Sequence, residues 1–244
     1  VCAGRDGRVL HTLSGTDGSR LGRCLSAAGD VDRDGTGDFV VGAVGRALVA
    51  SGASGAVLHT LVGRAAGDEF GRSVAAAGDV DRDGHADVLV GASDHAVLFS
   101  GRTGAVLRTF AGTCDSLDGG HDVDGDGVPD ILIGDRGVTV EPCLRNGRVV
   151  LYSGASGAVL WSAAGSCSFD GFGTSVAFLG DVDGDGRADW AAGAPQDLMA
   201  DAHLGSGYVQ VFGGPAGTLL RTLGGRGPAT DGFGALVGRA GDLD

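Results

Sequence analysis

A nine-residue pattern, Asp-x-Asp-x-Asp-Gly-x-x-Asp, occurs four times along this 244-residue chain. The copies, loops 1 to 4 below, span residues 30–38, 79–87, 122–130 and 181–189. Four carboxylates within nine residues repel one another unless a cation lies among them. Ca²⁺ accepts about 6–8 oxygen ligands in a flexible shell, whereas Mg²⁺ requires a tighter octahedron, so the pattern predicts four calcium loops.

Each loop offers side-chain carboxylates at positions one, three, five and nine, and glycine at position six predicts a sharp turn with positive φ. The predicted carboxylate ligands are Asp30, Asp32, Asp34 and Asp38; Asp79, Asp81, Asp83 and Asp87; Asp122, Asp124, Asp126 and Asp130; and Asp181, Asp183, Asp185 and Asp189. Position seven is predicted to contribute only its backbone carbonyl, since its side chain differs in every copy: Thr36, His85, Val128 and Arg187.

The residues that follow each loop exclude an EF-hand. An EF-hand needs a bidentate Glu at position twelve on an emerging helix. Position twelve is instead Val41, Val90, Ile133 or Ala192, within a short apolar run. Such runs predict buried strands, so the ion is expected between strands.

Composition supports an all-β fold. Glycine accounts for 49 residues and aromatics for 5%, and the chain has no sustained helical apolar period. The formal net charge is −13; four bound Ca²⁺ would reduce it to about −5. All 18 basic residues are arginine. Because the acidity is concentrated in the loops and no basic face is evident, we expect no nucleic-acid partner.

Two further signatures complete a repeating unit. Ser-Gly-x-x-Gly-Ala-Val-Leu begins at Ser51, Ser100 and Ser153 and predicts a hairpin. Phe-Gly precedes loops 2 and 4 at Phe70 and Phe172 and recurs at 233–234, with Leu-Gly at 21–22 as a variant. One unit thus reads strand A, loop, strand B, connection, strand C, hairpin, strand D.

Four strands per unit, at a period of 43 to 61 residues between first aspartates when Asp242 is included, predict a β-propeller of four-stranded blades. The alternatives are a β-solenoid, whose rungs are usually shorter, and a string of separate β modules, which units of this size would scarcely stabilise alone.

The Phe-Gly, the aspartate loop and the Gly-Ala-Pro at 193–195 together resemble the FG-GAP repeats of integrin α-subunit propellers and of bacterial extracellular proteins. The resemblance implies calcium in the A–B connections on one rim, and ligand recognition by B–C and D–A connections on the other. The third unit lacks Phe-Gly and offers Ser116-Leu-Asp-Gly-Gly120 instead, so we expect a shortened or distorted strand A there.

Residues 1–244 are interpreted as a single β-propeller of four full blades plus one split or truncated blade. Residues 1–13 are expected to supply strands C and D of a blade, and 233–244 to supply strand A and two ligands of a fifth loop, Asp242 and Asp244. Either a split blade closes a five-bladed ring, or the chain is a piece of a larger propeller. We favour the second, because a chain that stops inside a loop leaves two carboxylates without use.

The functional hypothesis is an extracellular or cell-surface calcium-binding propeller for adhesion, with mainly structural Ca²⁺ and a protein or glycan ligand on the rim opposite the loops. The long B–C connections at 135–148 and 195–207 are the expected recognition segments. No membrane insertion is expected. The alternative is a non-catalytic or catalytic part of a secreted hydrolase or lyase, with Asp135, Glu141, Asp197 and Asp201 as the only candidate acids outside the loops.

Serine, histidine and cysteine give no catalytic or zinc pattern. Ser73 and Ser175 partly match a nucleophile elbow but fall in predicted strand A. The six histidines are interpreted as surface or turn residues. One disulfide is expected among Cys114, Cys143 and Cys167, whereas Cys24 is expected to be a small buried thiol.

Overall fold

The computed structural model describes residues 1–2, 4–65, 67–166, 169–196, 206–226 and 232–239. These residues form sixteen strands and no helix. The strands are β1 (Cys24–Gly29), β2 (Asp38–Ala43), β3 (Arg46–Ala50), β4 (Val57–Val62), β5 (Ser73–Gly78), β6 (Asp87–Gly91), β7 (His95–Phe99), β8 (Val106–Ala111), β9 (Ser116–His121), β10 (Asp130–Asp135), β11 (Arg148–Tyr152), β12 (Val159–Ala164), β13 (Ser175–Gly180), β14 (Asp189–Ala194), β15 (Tyr208–Gly213) and β16 (Thr218–Gly224).

Consecutive groups of four strands form four antiparallel sheets, blades 1 to 4, ordered β1-β2-β3-β4, β5-β6-β7-β8, β9-β10-β11-β12 and β13-β14-β15-β16. The predicted order of strands A to D in each unit is therefore confirmed. The all-β class is also confirmed, since the described residues form strands and no helix. The four-stranded antiparallel sheets are β-propeller blades. Adjacent blades contact each other through their strands A: β1 lies against β5, β5 against β9, and β9 against β13.

After their first aspartate, the strand B segments are almost entirely apolar because both faces of each inner blade are covered. In β6, Val88 and Val90 belong to an apolar cluster with Val40 and Val49 of blade 1. Leu89 points the opposite way, into a cluster with residues of blade 3. Successive side chains of a strand alternate between faces, so a strand buried on both sides needs a continuous apolar run. The outer strands D are more exposed.

Glycine in strand B is required where two blades approach most closely. A Cβ added to Gly134 would overlap the carbonyl oxygen of Gly173, and one added to Gly193 would overlap that of Gly234. Gly173 and Gly234 are the glycines of the Phe-Gly pairs that begin the next unit. The strand B glycine and the Phe-Gly pair of the next unit are therefore the two sides of one backbone contact. Any side chain there would force the blades apart.

The expected shortening of strand A in the third unit is wrong. β9 has six residues, as β1, β5 and β13 do, and shows the same register shift near its end. The buried Cys114 joins the apolar cluster between blades 2 and 3. The distortion is limited to one place: His121 stands directly before loop 3, so the left-handed residue is Gly120, whereas Gly29 and its counterparts stand directly before the other loops.

A disulfide between Cys114 and Cys143 is not formed, and the described cysteines Cys2, Cys24, Cys114 and Cys143 are free thiols. Cys114 is buried inside a blade interface, whereas Cys143 is half-buried in a B–C connection. Cys167 lies outside the described residues. Cys24 is only half-buried; its Sγ donates to the Gly71 carbonyl at 3.1 Å, and burial raises the pKa of its thiol.

The chain ends lie against the outer blades without forming full strands in their described parts. In its described residues, the segment 1–13 contains a single bridge, between Cys2 and Val9. At the other end, Val237 donates its N–H to Ser175 Oγ of blade 4 at 2.9 Å. The blade formed by the two ends stays a prediction, and Asp242 and Asp244 lie outside the described residues.

Candidate metal centres

Each aspartate loop connects strand A to strand B of its blade, as predicted. Position one directly follows strand A, and position nine is the first residue of strand B. All four loops therefore lie at the same edge of the sheets. A strand-to-strand turn of this kind keeps both ends of the loop fixed by the sheet ladder.

Three carboxylates converge in every loop, those at positions one, three and nine. One oxygen from each lies within 4.8 Å of the others, in the groups Asp30/Asp32/Asp38, Asp79/Asp81/Asp87, Asp122/Asp124/Asp130 and Asp181/Asp183/Asp189. We call these groups the triads. Like charges at this separation are unfavourable without a counter-charge, so the triads could hold metal ions.

The position-nine carboxylate anchors the loop to its blade. Asp130 is fully buried; its Oδ2 accepts the N–H groups of Val123 at 2.8 Å and Asp124 at 3.3 Å. Its Oδ1 accepts the N–H of Gly154 in the C–D hairpin at 2.9 Å. The same three bonds recur around Asp38, Asp87 and Asp189. One side chain thus joins three segments of each blade.

The position-one carboxylate fixes the turn itself. Asp122 accepts the N–H of Gly125 at 2.7 Å through Oδ1 and that of Gly127 at 2.8 Å through Oδ2. Equivalent bonds reach position six from Asp30, Asp79 and Asp181. Each carboxylate oxygen has more than one lone pair, so these bonds leave capacity for a cation.

Positions five and seven form a small turn at the exposed end of the loop. The position-five carboxylates, such as Asp126, accept the N–H of position seven at 2.8–3.0 Å. They are not members of the triads. Their role as ligands, and that of the position-seven carbonyl, stays a prediction.

Glycine at position six has positive φ in every loop, from 81° to 87°, as the sequence predicted. Position four is left-handed as well, with φ near 60° at Arg33 and Arg82 and 82° at Gly125 and Gly184. Glycine at this position in loops 3 and 4 was the signal in the sequence. Non-glycine residues adopt this conformation at a cost, which the surrounding loop bonds must offset.

Burial opposes ionisation of the position-nine acids. It raises the pKa of Asp87 and of Asp130 to about 6, against the backbone hydrogen bonds that lower it. Burial also raises the pKa of Asp189 and of Asp81, with Asp83 adding a like charge beside Asp81. A divalent cation would reverse this effect by favouring the charged forms.

The chemistry of the donor set fits a hard cation. The triads contain only carboxylate oxygens. Among the described residues, no histidine or cysteine belongs to a cluster of side chains that could bind a metal ion. Oxygen-only sets suit Ca²⁺, Mg²⁺ or Mn²⁺ and disfavour Zn²⁺ and copper. The residues that would hold the ion are therefore those predicted at positions one, three and nine.

At position seven, two side chains leave their own loop and contact the preceding one. His85 Nδ1 contacts the Val31 carbonyl at 2.7 Å. Arg187 Nη1 donates to the Asp124 carbonyl at 2.8 Å. Sequence reasoning had assigned no role to these side chains.

The candidate catalytic residues do not form a site in the described residues. Asp135 is buried and accepts the N–H groups of Gly137 and Val138, whereas Glu141 is exposed; Asp197 and Asp201 lie outside the description. Ser73 lies in strand A, and its hydroxyl donates to the Cys114 carbonyl of the next blade at 3.0 Å. Ser175 likewise bonds across the edge of blade 4, with Val237.

The long B–C connections occupy 136–147 and 195–207, whereas those of blades 1 and 2 are simple turns. Several polar residues there are used internally. Asn146 is buried and bonds Val140 and Gly165, and Gln196 and Tyr208 donate to the buried Asp170. Surface groups such as Arg136 and Glu141 remain exposed on this rim.

The interpretation of the histidines as surface or turn residues is wrong for His59, His95 and His121, which lie in strands and are half-buried or buried; His85 lies in the turn of loop 2, as interpreted. Two histidines contact the hairpin of a neighbouring blade: His11 contacts the Gly52 carbonyl at 2.9 Å, and His59 contacts that of Gly101. Arg108 makes the same contact with Gly154. The repeated Leu-His-Thr-Leu at 10–13 and 58–61 was the available signal.

Stacked four-stranded blades with an aspartate loop between strands A and B define a β-propeller with repeated acidic loops. Two family comparisons match it: the FG-GAP repeat over residues 70–107 and the FG-GAP-like repeat over residues 122–192. The resemblance to FG-GAP repeats is therefore confirmed over these two segments.

A curated relative and a solved structure are consistent with this assignment. Integrin alpha-PS2 of Drosophila melanogaster is 40% identical over 111 residues, which is 41% of this chain and 8% of that protein. A crystal structure described as BBS1N in complex with ARL6DN, soaked with lead, has a TM-score of 0.57 at 13% identity. It covers 89% of this chain and 56% of that one, and the likeness concerns the fold alone.

The described part of the chain contains no helix that is long and apolar enough to cross a membrane.

Proposed function

We propose that the chain is an extracellular calcium-binding propeller module that serves adhesion by binding a protein or glycan, and that it has no catalytic activity of its own. The observation that carries the proposal is the recurrence of one triad, at one place, in four successive blades. A single acidic cluster is common on protein surfaces, but four equivalent ones indicate a shared ligand.

Calcium is the favoured cation because the triads offer only oxygen and the loops are short and surface-exposed. Ca²⁺ tolerates an irregular shell completed by backbone carbonyls and water, as these loops would provide. Bound ions would neutralise carboxylates that otherwise repel each other, and would hold the A–B turn fixed. The role of the ion in this proposal is structural, so binding and folding are linked.

The adhesive role rests on the likeness to part of an integrin alpha chain. Because the chain spans 8% of that relative, partner and location are inferred from a small segment. The long B–C connections are the proposed contact surface, since they vary in length between blades while the scaffold does not.

Isothermal titration of the chelator-treated chain with Ca²⁺ tests the cation assignment. We expect about four equivalents to bind. The variant Asp124→Asn, which removes one triad charge, should lose one equivalent. Asp115→Asn is the matched control and should lose none, because this acid lies outside the loops and pairs with Arg72. Equal binding by all three proteins would contradict the assignment.

The adhesion assignment requires a separate test. Immobilised full chain should retain a protein or glycan ligand from an extracellular-matrix and glycan array in Ca²⁺, and should lose it after the exposed Arg136 and Glu141 are replaced by alanine. The proposal would be contradicted if these changes left retention unaffected and changes in the aspartate loops abolished it at constant stability. The contact surface would then lie on the rim of the loops rather than on that of the B–C connections.

A further inference from the structure

Successive aspartate loops are connected by side chains that reach from one loop to a backbone carbonyl of its neighbour. We propose that these bridging residues, Arg82, His85 and Arg187, position the cation site of the adjacent loop, so that neighbouring sites bind Ca²⁺ as a coupled set. This inference rests on the proposed calcium binding and concerns residues that are not themselves predicted side-chain ligands.

The bridge between loops 2 and 3 shows how positioning would work. Arg82 Nη2 donates to the carbonyl oxygen of Asp126 at 2.8 Å. The same peptide plane carries the N–H of Gly127, which donates to Asp122 Oδ2 at 2.8 Å. Because a peptide unit is rigid and planar, fixing its carbonyl end orients its N–H end. Arg82 therefore orients a donor that holds a triad carboxylate of the neighbouring loop.

The bridge between loops 3 and 4 uses a different position but the same device. Arg187 Nη1 donates to the Asp124 carbonyl at 2.8 Å. The N–H of that peptide plane belongs to Gly125 and donates to Asp122 Oδ1 at 2.7 Å. Both oxygens of Asp122 are thus held by peptides whose carbonyls are fixed from adjacent loops, one from each side.

Loops 1 and 2 are joined by two such contacts. His85 Nδ1 contacts the Val31 carbonyl at 2.7 Å, whose peptide plane carries the Asp32 N–H that Asp38 accepts. Because a carbonyl can only accept, this ring nitrogen is the donor. The N–H of Ala86 donates to the Asp30 carbonyl at 3.1 Å, and the Val31 N–H of that plane also reaches Asp38.

The arginines do not compete with a cation for the carboxylates. Among the described residues, the ion pairs are Arg72 with Glu69, Arg72 with Asp115, and His95 with Asp94, and none involves a loop arginine. Arg82 and Arg187 bind carbonyls, which leaves the triads available. Their positive charge alone would weaken cation binding by repulsion. Replacing one of these arginines by a neutral residue should therefore lower the calcium affinity if the arginine acts by positioning, and raise it if the arginine acts only by repulsion.

The site-specific readout is the backbone amide of the position-six glycine in each loop, followed by ¹H–¹⁵N NMR during a Ca²⁺ titration of the full chain. Each of these amides donates to the position-one carboxylate at 2.8–3.0 Å, so each reports its own site. The four reporters are Gly35, Gly84, Gly127 and Gly186.

In Arg82→Met we expect the affinity reported by Gly127 to fall about fivefold or more, while the affinity reported by Gly35 stays unchanged. Arg82→Lys should restore most of the affinity, because an ammonium can also donate to the carbonyl. Arg33→Met is the matched control: Arg33 has the same loop position and nearly the same φ, 61° against 60°. It donates no hydrogen bond to loop 2 in the described structure.

A double-mutant cycle isolates the coupling. Asp81→Asn disables site 2 and should weaken site 3 about fivefold; in the Arg82→Met background it should have no further effect on site 3. An affinity at Gly127 that is unchanged or increased in Arg82→Met would overturn the proposal. If no position-six amide responds to Ca²⁺ in the unmodified chain, the proposed function itself fails, which is a distinguishable result.

Discussion

The two edges of these sheets differ in what they allow to vary. At the A–B edge, four loops have the same length, the same carboxylate positions and nearly the same hydrogen bonds. At the B–C edge, two connections are simple turns and two occupy 136–147 and 195–207. The comparison shows that a loop is constrained when several of its groups must meet at one point, whereas a connection that only links strands can lengthen.

The constraint in the A–B loops lies in the backbone as well as in the acids. Position nine joins its own loop to the C–D hairpin, and position one fixes the turn. Changing the length of a loop would break bonds at both positions. The B–C connection of blade 3 instead holds itself together through the buried Asn146.

The largest effect is expected when the cations are removed, because this change concerns the A–B edge and not the B–C edge. Chelation should lower Tm by of order 10 °C or more, because each ion that binds only the folded state contributes about 2.7 kcal/mol at 100-fold excess over Kd. Calorimetry with chelator, and with chelator preloaded with Ca²⁺ as the control, measures this. An unchanged Tm would mean that the A–B edge does not depend on ions.

The next effect concerns the anchoring acid without its ion. In chelator, Asp130→Ala should reduce the free energy of unfolding by about 1–3 kcal/mol, because three N–H groups lose their acceptor. Asp126→Ala in the same loop is the control, since Asp126 is exposed and accepts one N–H. Urea unfolding compares the two; equal losses would show that position nine is no anchor.

A comparable loss is expected from Asn146→Ala at the opposite edge, about 1–3 kcal/mol by the same measurement, because Val140 loses a part-buried hydrogen bond and Gly165 a buried one. This loss should be the same with and without Ca²⁺, whereas the cost of Asp130→Ala should grow when Ca²⁺ is added. A calcium-dependent cost for Asn146→Ala would remove the distinction between the edges.

The pH dependence gives a smaller effect at any one pH. The pKa of Asp87 and of Asp130 is about 6 in the fold, against about 3.9 for an unfolded chain. Between these values the folded state binds more protons, so the stabilisation from these groups is complete below about pH 3.9 and is lost as pH rises through about 6. In chelator, the paired variant Asp87→Asn/Asp130→Asn should flatten this fall; an identical pH profile would contradict the assignment.

The smallest effect is expected from exposed residues of the B–C edge. Arg136→Ala and Glu141→Ala should change the free energy of unfolding by no more than about 0.5 kcal/mol, and Ca²⁺ binding should be unaltered. Thermal unfolding and calcium titration check both statements. A large loss of stability would show that these side chains support the fold rather than a partner surface.

Much of the fold was predictable because its determinants are local and repeated. The acidic pattern located the loops, and the apolar runs after Asp38, Asp87, Asp130 and Asp189 located strand B. The strand order followed from the hairpin signature. The positive φ at position six was predictable because only glycine occurs there.

What the sequence did not predict depends on contacts between residues that lie 26 to 42 positions apart along the chain. His11 and His59 contact backbone carbonyls in the hairpin of the next blade, and Gln196 and Tyr208 donate hydrogen bonds to the buried Asp170. The repeated Leu-His-Thr-Leu marks the two histidines, but no local pattern identifies the partner of any of these residues. The shortened strand A was also wrongly expected, because Cys114 and Gly120 supply the packing and the turn that other units obtain from different residues.

The most direct test of the central claim is a crystal structure of the chain grown in Ca²⁺, with anomalous scattering used to identify the ion. The account predicts one ion per loop, bonded at about 2.3–2.6 Å to carboxylate oxygens of positions one, three and nine. Water molecules in place of ions in all four loops, or ions bound elsewhere while the triads bind none, would contradict it.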